Sequence, residues 1–396
     1  MLVAKLPREP HTFAQAVSDP KWIATMENEF QVLQENGTWS LFPRPQDRNV
    51  IRNTWVFKIK QKPDSTMERL TQSLLNLGFI GSLVDTSLFM LQQFDVHIFI
   101  LIYVDDIIVT LTHLTRITEL IGSLQTEFKM KDLGDLSYFL GIHVHQDDKR
   151  IHLNQAKYIV DLLGRVNMVR AKAYTTPCTS PKKLTKFDGD PLPDLTQFRH
   201  IVKALQYCTL TKPDISYSVN QLCQFMHCPT TAHFTAAKRV LRYLKGTTDF
   251  GLYLTLGPLH LEAFCDSDWA VDPADRRSTS GYSVFLGQNL ISWQANKQPV
   301  VSRSSIEAKY LSMAIATIEL YWLRMLLKEL QINVTAPPHL WCDNLGATAL
   351  AYNLIFHARI KHIEVDYHFI REKVFHKDIV INYISTNNQC ADIFTP

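Results

Sequence analysis

The sequence has no CxxC pair and no cluster of cysteine and histidine at zinc-ligand spacing. Its seven cysteines, Cys178, Cys208, Cys223, Cys228, Cys265, Cys342 and Cys390, are odd in number. A disulfide framework does not fit that count, and buried thiols in a reducing compartment do. There is no long basic tail, no internal repeat and no low-complexity tract. The first residues, Met1 to Arg8, lack the long apolar core of a signal peptide. The most apolar run, Val96 to Val104, is too short to span a bilayer and ends in two acids. The expectation is an intracellular chain, cytoplasmic or nuclear, with no membrane partner. Asn36-Gly37-Thr38 and Asn333-Val334-Thr335 match the glycosylation pattern but carry no weight without a secretory signal.

What is present is the composition of a globular protein: 46% hydrophobic and 20% charged residues over 396 positions. That length suffices for two or three domains with proper cores. A net charge of +3 permits a polyanionic partner without demanding one.

The run Phe99 to Val109 places Asp105 and Asp106 between two apolar, β-branched stretches. Such stretches read as buried strands, with the acids at the turn of a hairpin. Two adjacent carboxylates are costly to bury without a compensating cation, and a hard divalent metal is the usual one. A solvated turn accounts for the same two residues equally well.

Along the chain, Trp22, Met26, Phe30 and Leu33 fall at helical spacing after Asp19-Pro20. Strands are expected at 38–42 and 54–60. Helices are expected from Thr71 to Gly78, Thr115 to Phe128 and Asn154 to Val169, with strands at Ser87–Leu91, Leu136–Val144 and Ile151–Leu153. Residues 174–197 hold four prolines and read as a linker. A helical block, 197–246, ends in a basic segment. There Lys238, Arg239, Arg242 and Lys245 are candidate phosphate contacts or, equally, a solvated face. From 250 onward four short strands, a long helix from Ser304 to Leu330, and alternating strands and helices describe a mixed sheet covered by helices. Within it Asp266 and Asp343 fall at strand ends, Glu307 opens the long helix, and Asp366 follows His362 by four. Carboxylates converging at one sheet end suit two-metal phosphodiester chemistry. Singly, each is also an ordinary cap.

Tyr103-Val104-Asp105-Asp106 resembles the catalytic hairpin of reverse transcriptases. The surroundings narrow this further. Glu35-Asn36-Gly37-Thr38-Trp39, Trp55-Val56-Phe57-Lys58, Asp132 to Ile142, Lys212-Pro213-Asp214-Ile215 and Leu241 to Thr247 resemble the reverse transcriptase of copia-type retrotransposons. Asp266-Ser267-Asp268-Trp269-Ala270, Cys342-Asp343-Asn344 and Lys361 to Asp366 are similar to that family's RNase H. The resemblance implies an α+β chain in four parts. These are a truncated reverse transcriptase over 1–172, a linker over 173–197, a helical connection over 198–249 and an RNase H-like domain over 250–396. It implies Asp105, Asp106, Asp266, Asp343 and Asp366 as catalytic carboxylates, these and Glu307 as ligands of Mg²⁺ or Mn²⁺, and no small-molecule cofactor. Its implied partners are an RNA template, RNA–DNA hybrid and other element proteins, with a particle-associated location.

Two departures from the family matter. The polar run Gln61 to Arg69 passes almost directly into Leu70 to Phe79. The family's basic fingers segment, a palm strand with a further essential Asp and the substrate-binding helix are missing in between. In the run Ser304 to Tyr310, the second of two family acids has become Lys309. Residues two apart on a helix face different ways, so Glu307 is a poor substitute, and a lysine there would pair with Asp266 or Asp343 and compete with metal. Primer extension on a primed RNA template in Mg²⁺ is therefore expected to stay at the background of an Asp105→Ala, Asp106→Ala control. Extension clearly above that control would refute the missing-segment argument.

Overall fold

The computed structural model describes residues 17, 22, 23, 26, 65–93, 96–103, 106–111, 114–128, 130–179, 184–334, 336–353 and 364–395. The chain divides into two compact units, residues 1–77 and 78–396. In the first, helix α1 (Ser65–Asn76) is described and starts earlier than its sequence signal. Trp22, Ile23 and Met26 are helical, while the strands expected at 38–42 and 54–60 lie outside the described residues.

Among the described residues the second unit has three sheets. The first has strands β1 (Ile80–Gly81), β2 (Leu88–Gln93), β3 (Val96–Tyr103) and β4 (Asp106–Leu111), antiparallel in that order. Ile98, Ile100 and Ile102 of β3 are buried and alternate with less buried neighbours. The apolar run is therefore a strand covered fully on one face only. Helix α2 (Leu114–Glu127) follows, burying Leu120 and Leu124.

The second sheet has β5 (Tyr138–Phe139), β6 (Ile142–Gln146), β7 (Arg150–Asn154) and β8 (Gly251–Thr255), again antiparallel in that order. The single strand expected over Leu136–Val144 is split at Leu140 and Gly141, whose φ values are 46° and 77°. That left-handed step turns the chain into a hairpin.

Helices α3 (Ala156–Arg165), α4 (Thr196–Cys208), α5 (Ser216–Cys223) and α6 (Thr231–Gly246) enclose a core of Ile159, Phe198, Leu205, Leu222 and Leu241. Helix α6 starts where the Thr230 N–H donates to His233 Nδ1, 2.9 Å away. Residues 171–176, at the start of the proline-bearing segment, lie strapped along α6. The sequence placed a domain boundary at 249/250. Strand β8 crosses it by pairing with β7, because its Leu252 and Leu254 need covered partners.

The third sheet has β9 (Leu261–Ser267), β10 (Thr279–Leu286), β11 (Asn289–Lys297), β12 (His339–Cys342) and β13 (Val380–Tyr383) in the order β11-β10-β9-β12-β13. The first three are antiparallel, and β9, β12 and β13 run parallel. Helices α7 (Ser305–Glu329), α8 (Leu345–Tyr352) and α9 (Glu364–Phe375) complete it. Helix α7 is long and apolar enough to cross a membrane, but it buries Tyr310, Met313, Ala316 and Leu320 in the core against the sheet. Its far end meets the first sheet. Glu329 accepts hydrogen bonds from Ser82 Oγ and from the Leu83 N–H, the latter at 3.1 Å.

Candidate functional site: an ammonium between two strand ends

Parallel pairing sets Cys265 of β9 opposite Cys342 of β12. The next residue on each strand, Asp266 and Asp343, thus emerges at the same sheet end. Helix α7 begins above that end. Ser304 caps it by accepting from the Glu307 N–H at 3.2 Å, and Glu307 Oε2 accepts from the Arg303 N–H at 3.0 Å. Ser304 thus caps the helix, and Glu307 holds the N–H of the residue before the cap. Lys309, two residues on, points elsewhere. Its Nζ donates to Asp266 Oδ1 and, at 2.6 Å, to Asp343 Oδ1.

The remaining carboxylate oxygens are also held. Thr395 Oγ1 donates to Asp266 Oδ2, and Thr386 Oγ1 donates to Asp343 Oδ2 at 3.2 Å. Ser312 Oγ ties the helix to the sheet through the Asp266 carbonyl at 2.6 Å. Side-chain exposure is 14% for Lys309 and 9% for each aspartate, so solvent screens the triad little. Burial opposes the charge on Lys309, but Asp266 and Asp343 outweigh it and hold the ammonium above the usual lysine range.

A further carboxylate at this site escaped the sequence reading. Asp392 lies in the short 3₁₀ turn Cys390–Phe394, between buried Ala391 and Phe394. Its pKa is pushed up to about 6, by burial and then by Asp266 and Asp343, with Lys309 opposing. An acid inside an apolar run was its available signal, the same one that marked Asp105 and Asp106. Asp366 is half-buried on α9, and burial raises its carboxyl pKa. Lys309 pairs with Asp266 and Asp343, and Asp392 feels the charges of all three.

These residues do not fit a divalent metal as they stand. The lysine ammonium occupies the bridging oxygens of both aspartates, and among the described residues no three His, Cys, Asp or Glu side chains form a metal-holding group. In the hairpin, Asp106 opens β4 opposite Tyr103 and is exposed, while Asp105 lies outside the described residues.

The basic segment of α6 is also spent internally. Arg239 Nη2 donates to Thr176 Oγ1 at 2.7 Å, and Arg242 Nε to the Lys172 carbonyl at 2.6 Å. Lys245 Nζ donates to the Ala171 carbonyl at 2.6 Å. Both guanidiniums lie over the Tyr174 ring, at 4.7 and 3.7 Å. Lys238 sits over Phe234 at 4.5 Å. Three of the four expected phosphate contacts thus hold the strap to the helix.

Comparison with known proteins agrees with this architecture. A family model described as reverse transcriptase (RNA-dependent DNA polymerase) matches residues 59–180. The chain is 46% identical over 341 residues to the retrovirus-related Pol polyprotein from transposon RE1 of Arabidopsis thaliana, covering 86% of this chain and 23% of that protein. It is 48% identical over 226 residues to the uncharacterized mitochondrial protein AtMg00810 of the same plant, covering 57% of this chain and 93% of that one. The Pol polyprotein from transposon TNT 1-94 of Nicotiana tabacum is 27% identical over 501 positions, covering 98% of this chain and 38% of that protein. A foamy viral protease–reverse transcriptase solved with RNA/DNA hybrid is similar over 72% of this chain and 36% of that chain, at 13% identity and a TM-score of 0.40. The chain belongs to the copia-type retrotransposon Pol family, and residues 59–180 match its reverse transcriptase. It spans about a quarter of the length of the RE1 polyprotein.

Removing the ammonium should leave the carboxylates uncompensated. Lys309→Met is expected to cost about 3 kcal/mol or more near neutral pH, measured by urea unfolding, as for other broken buried pairs. Because the folded-state pKa of Lys309 is raised, its contribution is fully present below the ordinary lysine range and is lost only in strong alkali. Asp392 has the opposite sign. Its raised pKa means that stability falls as the pH climbs from the ordinary aspartate range through about 6. Asp392→Asn is expected to remove that fall, giving a more stable protein near pH ~7 and little change near pH ~4.

Proposed function

We propose that this chain is a copy of the reverse transcriptase and RNase H region that binds nucleic acid without acting on it. Its partners are an RNA template and RNA–DNA hybrid. The observation that carries the reading is Lys309, whose ammonium bridges Asp266 and Asp343 where the family's chemistry calls for divalent metal. The ion pair competes directly with Mg²⁺ or Mn²⁺ for the same oxygens. For the polymerase half, the alignment with TNT 1-94 extends over 501 positions, more than this chain has, so that relative carries residues with no counterpart here. This supports the loss of the palm segment with its further Asp. A two-metal transfer needs carboxylates on both sides of the reacting phosphate, and the Asp105–Asp106 pair supplies one side. The helical connection and the mixed sheet each keep a buried hydrophobic core that can carry a binding surface.

The test is made on the whole chain. The unsubstituted protein is expected to bind a labelled RNA–DNA hybrid at low salt, to weaken as salt rises, and not to cleave its RNA strand. Lys309→Glu is expected to raise cleavage in Mg²⁺ or Mn²⁺ at least about tenfold over that background, and Asp343→Asn in the same background to abolish it. A folded Lys309→Glu protein that binds hybrid without cleaving it would refute the role given to Lys309. Absence of hybrid binding at low salt would refute the binding function.

A further inference from the structure

Between the strap and helices α5 and α6 lies a cavity of about 590 Å³. Its origin is local. Ala232 and Ala236 fall four apart on α6 and share a face, and their methyl groups leave space that longer side chains would fill. Leu222 and Val240, both buried, line it from the two helices. Met168 and Leu184 line it from the segments on either side of the strap, and Val271 from the loop after β9. Val271 is 47% exposed, which is apolar surface that the protein itself does not cover.

We propose that this cavity binds a small amphipathic organic anion, an apolar body carrying one acidic headgroup. Its size falls within the ~300–1,000 Å³ range of small-molecule sites, and its wall is mostly apolar with a few polar groups. The charged groups are of one sign. Lys238, Arg239 and Arg242 line the cavity, and no aspartate or glutamate is among its described lining residues. Cations beside an apolar wall favour an anion whose remainder is hydrophobic. Arg239 is incompletely satisfied: its Nη2 holds Thr176, but its Nε is buried with no hydrogen-bond partner. A buried donor left in that state is costly, and an acidic oxygen is a strong acceptor for it. Ser218 and Gln221, buried on α5, bring a hydroxyl and an amide to the same cavity.

The neighbouring groups are compatible with an anion. Tyr217 also lines the cavity, and burial, then Asp268, Cys178 and Asp272, raise its hydroxyl pKa. It therefore stays an O–H donor at neutral pH. The two carboxylates beside it are engaged elsewhere. Asp268 accepts from the Thr279 N–H at 2.6 Å, and Asp272 pairs with Lys297 at 2.6 Å. Arg242 keeps its Nε on the Lys172 carbonyl and its Nη1 on the Tyr174 hydroxyl. It contributes charge, while Arg239 contributes the unpaired donor.

The experiment titrates the whole chain, near neutral pH, with the fluorescent probe anilinonaphthalene sulfonate. Phenylnaphthylamine, the same apolar body without the sulfonate, is the neutral probe. The unsubstituted chain is expected to bind the sulfonate at one saturable site, at least about tenfold tighter than the neutral probe. Arg239→Gln is expected to weaken the sulfonate by at least about tenfold and the neutral probe by about twofold or less. Ala236→Phe, which fills the cavity, is expected to weaken both by at least about tenfold. Circular dichroism melts establish that the variants are folded, and if Ala236→Phe does not fold, Val271→Trp is read in its place. A folded cavity-filling variant that keeps sulfonate binding would overturn the proposal, as would the absence of saturable binding to the unsubstituted chain. Equal loss of both probes in a folded Arg239→Gln protein would overturn the role of the headgroup. Displacement of the sulfonate by an equal concentration of inorganic phosphate would overturn the role of the apolar body. Each of these results leaves the hybrid-binding reading standing, because that reading does not depend on this cavity.

Discussion

One buried ion triad organises the C-terminal half of this chain. Two parallel strands end in Asp266 and Asp343, and a 25-residue helix starts directly above them. Carboxylates brought together at low exposure repel one another and lose their hydration. Asp392, joining from the C-terminal turn, adds to that strain. Here the helix supplies its own cation, because Lys309 projects toward the strand ends while Glu307, two residues earlier, turns back to the Arg303 N–H. The Thr395 and Thr386 hydroxyls satisfy the outer oxygens, so the cluster is closed on all sides. A closed cluster gives stability and removes the open coordination positions that chemistry requires.

The same tendency to satisfy charge internally recurs elsewhere. The arginines of α6 hold the strap at 171–176 and stack on Tyr174. Glu329, at the last turn of α7, takes two donors from the loop after β1. Strand β8 belongs in sequence to the final domain but pairs with β7, so the second and third sheets are linked by backbone as well as by the chain between them. The result is one compact unit over residues 78–396.

Most of the elements were legible because their periodicities are strong. The apolar spacing of the long helix, the alternation of β9 and the run at β3 all announce themselves. The one misreading of an element has a local cause. Leu136–Val144 looks like one strand because nothing in its apolar pattern reveals the left-handed step at Leu140 and Gly141. Lys238 to Lys245 left two readings open, phosphate contact or solvated face, because charge is visible in a sequence and its partners are not.

The sequence by itself determined the lineage and the order of the elements, because these are matters of residue identity and spacing. Only the tertiary structure decided which carboxylates share a site. That depends on parallel register between β9 and β12, separated by more than seventy positions in the chain, and on a C-terminal turn that returns Asp392 to the same sheet end. Spacing along the chain carries no information about such closure. It follows from which faces must be buried and from where the strands then end.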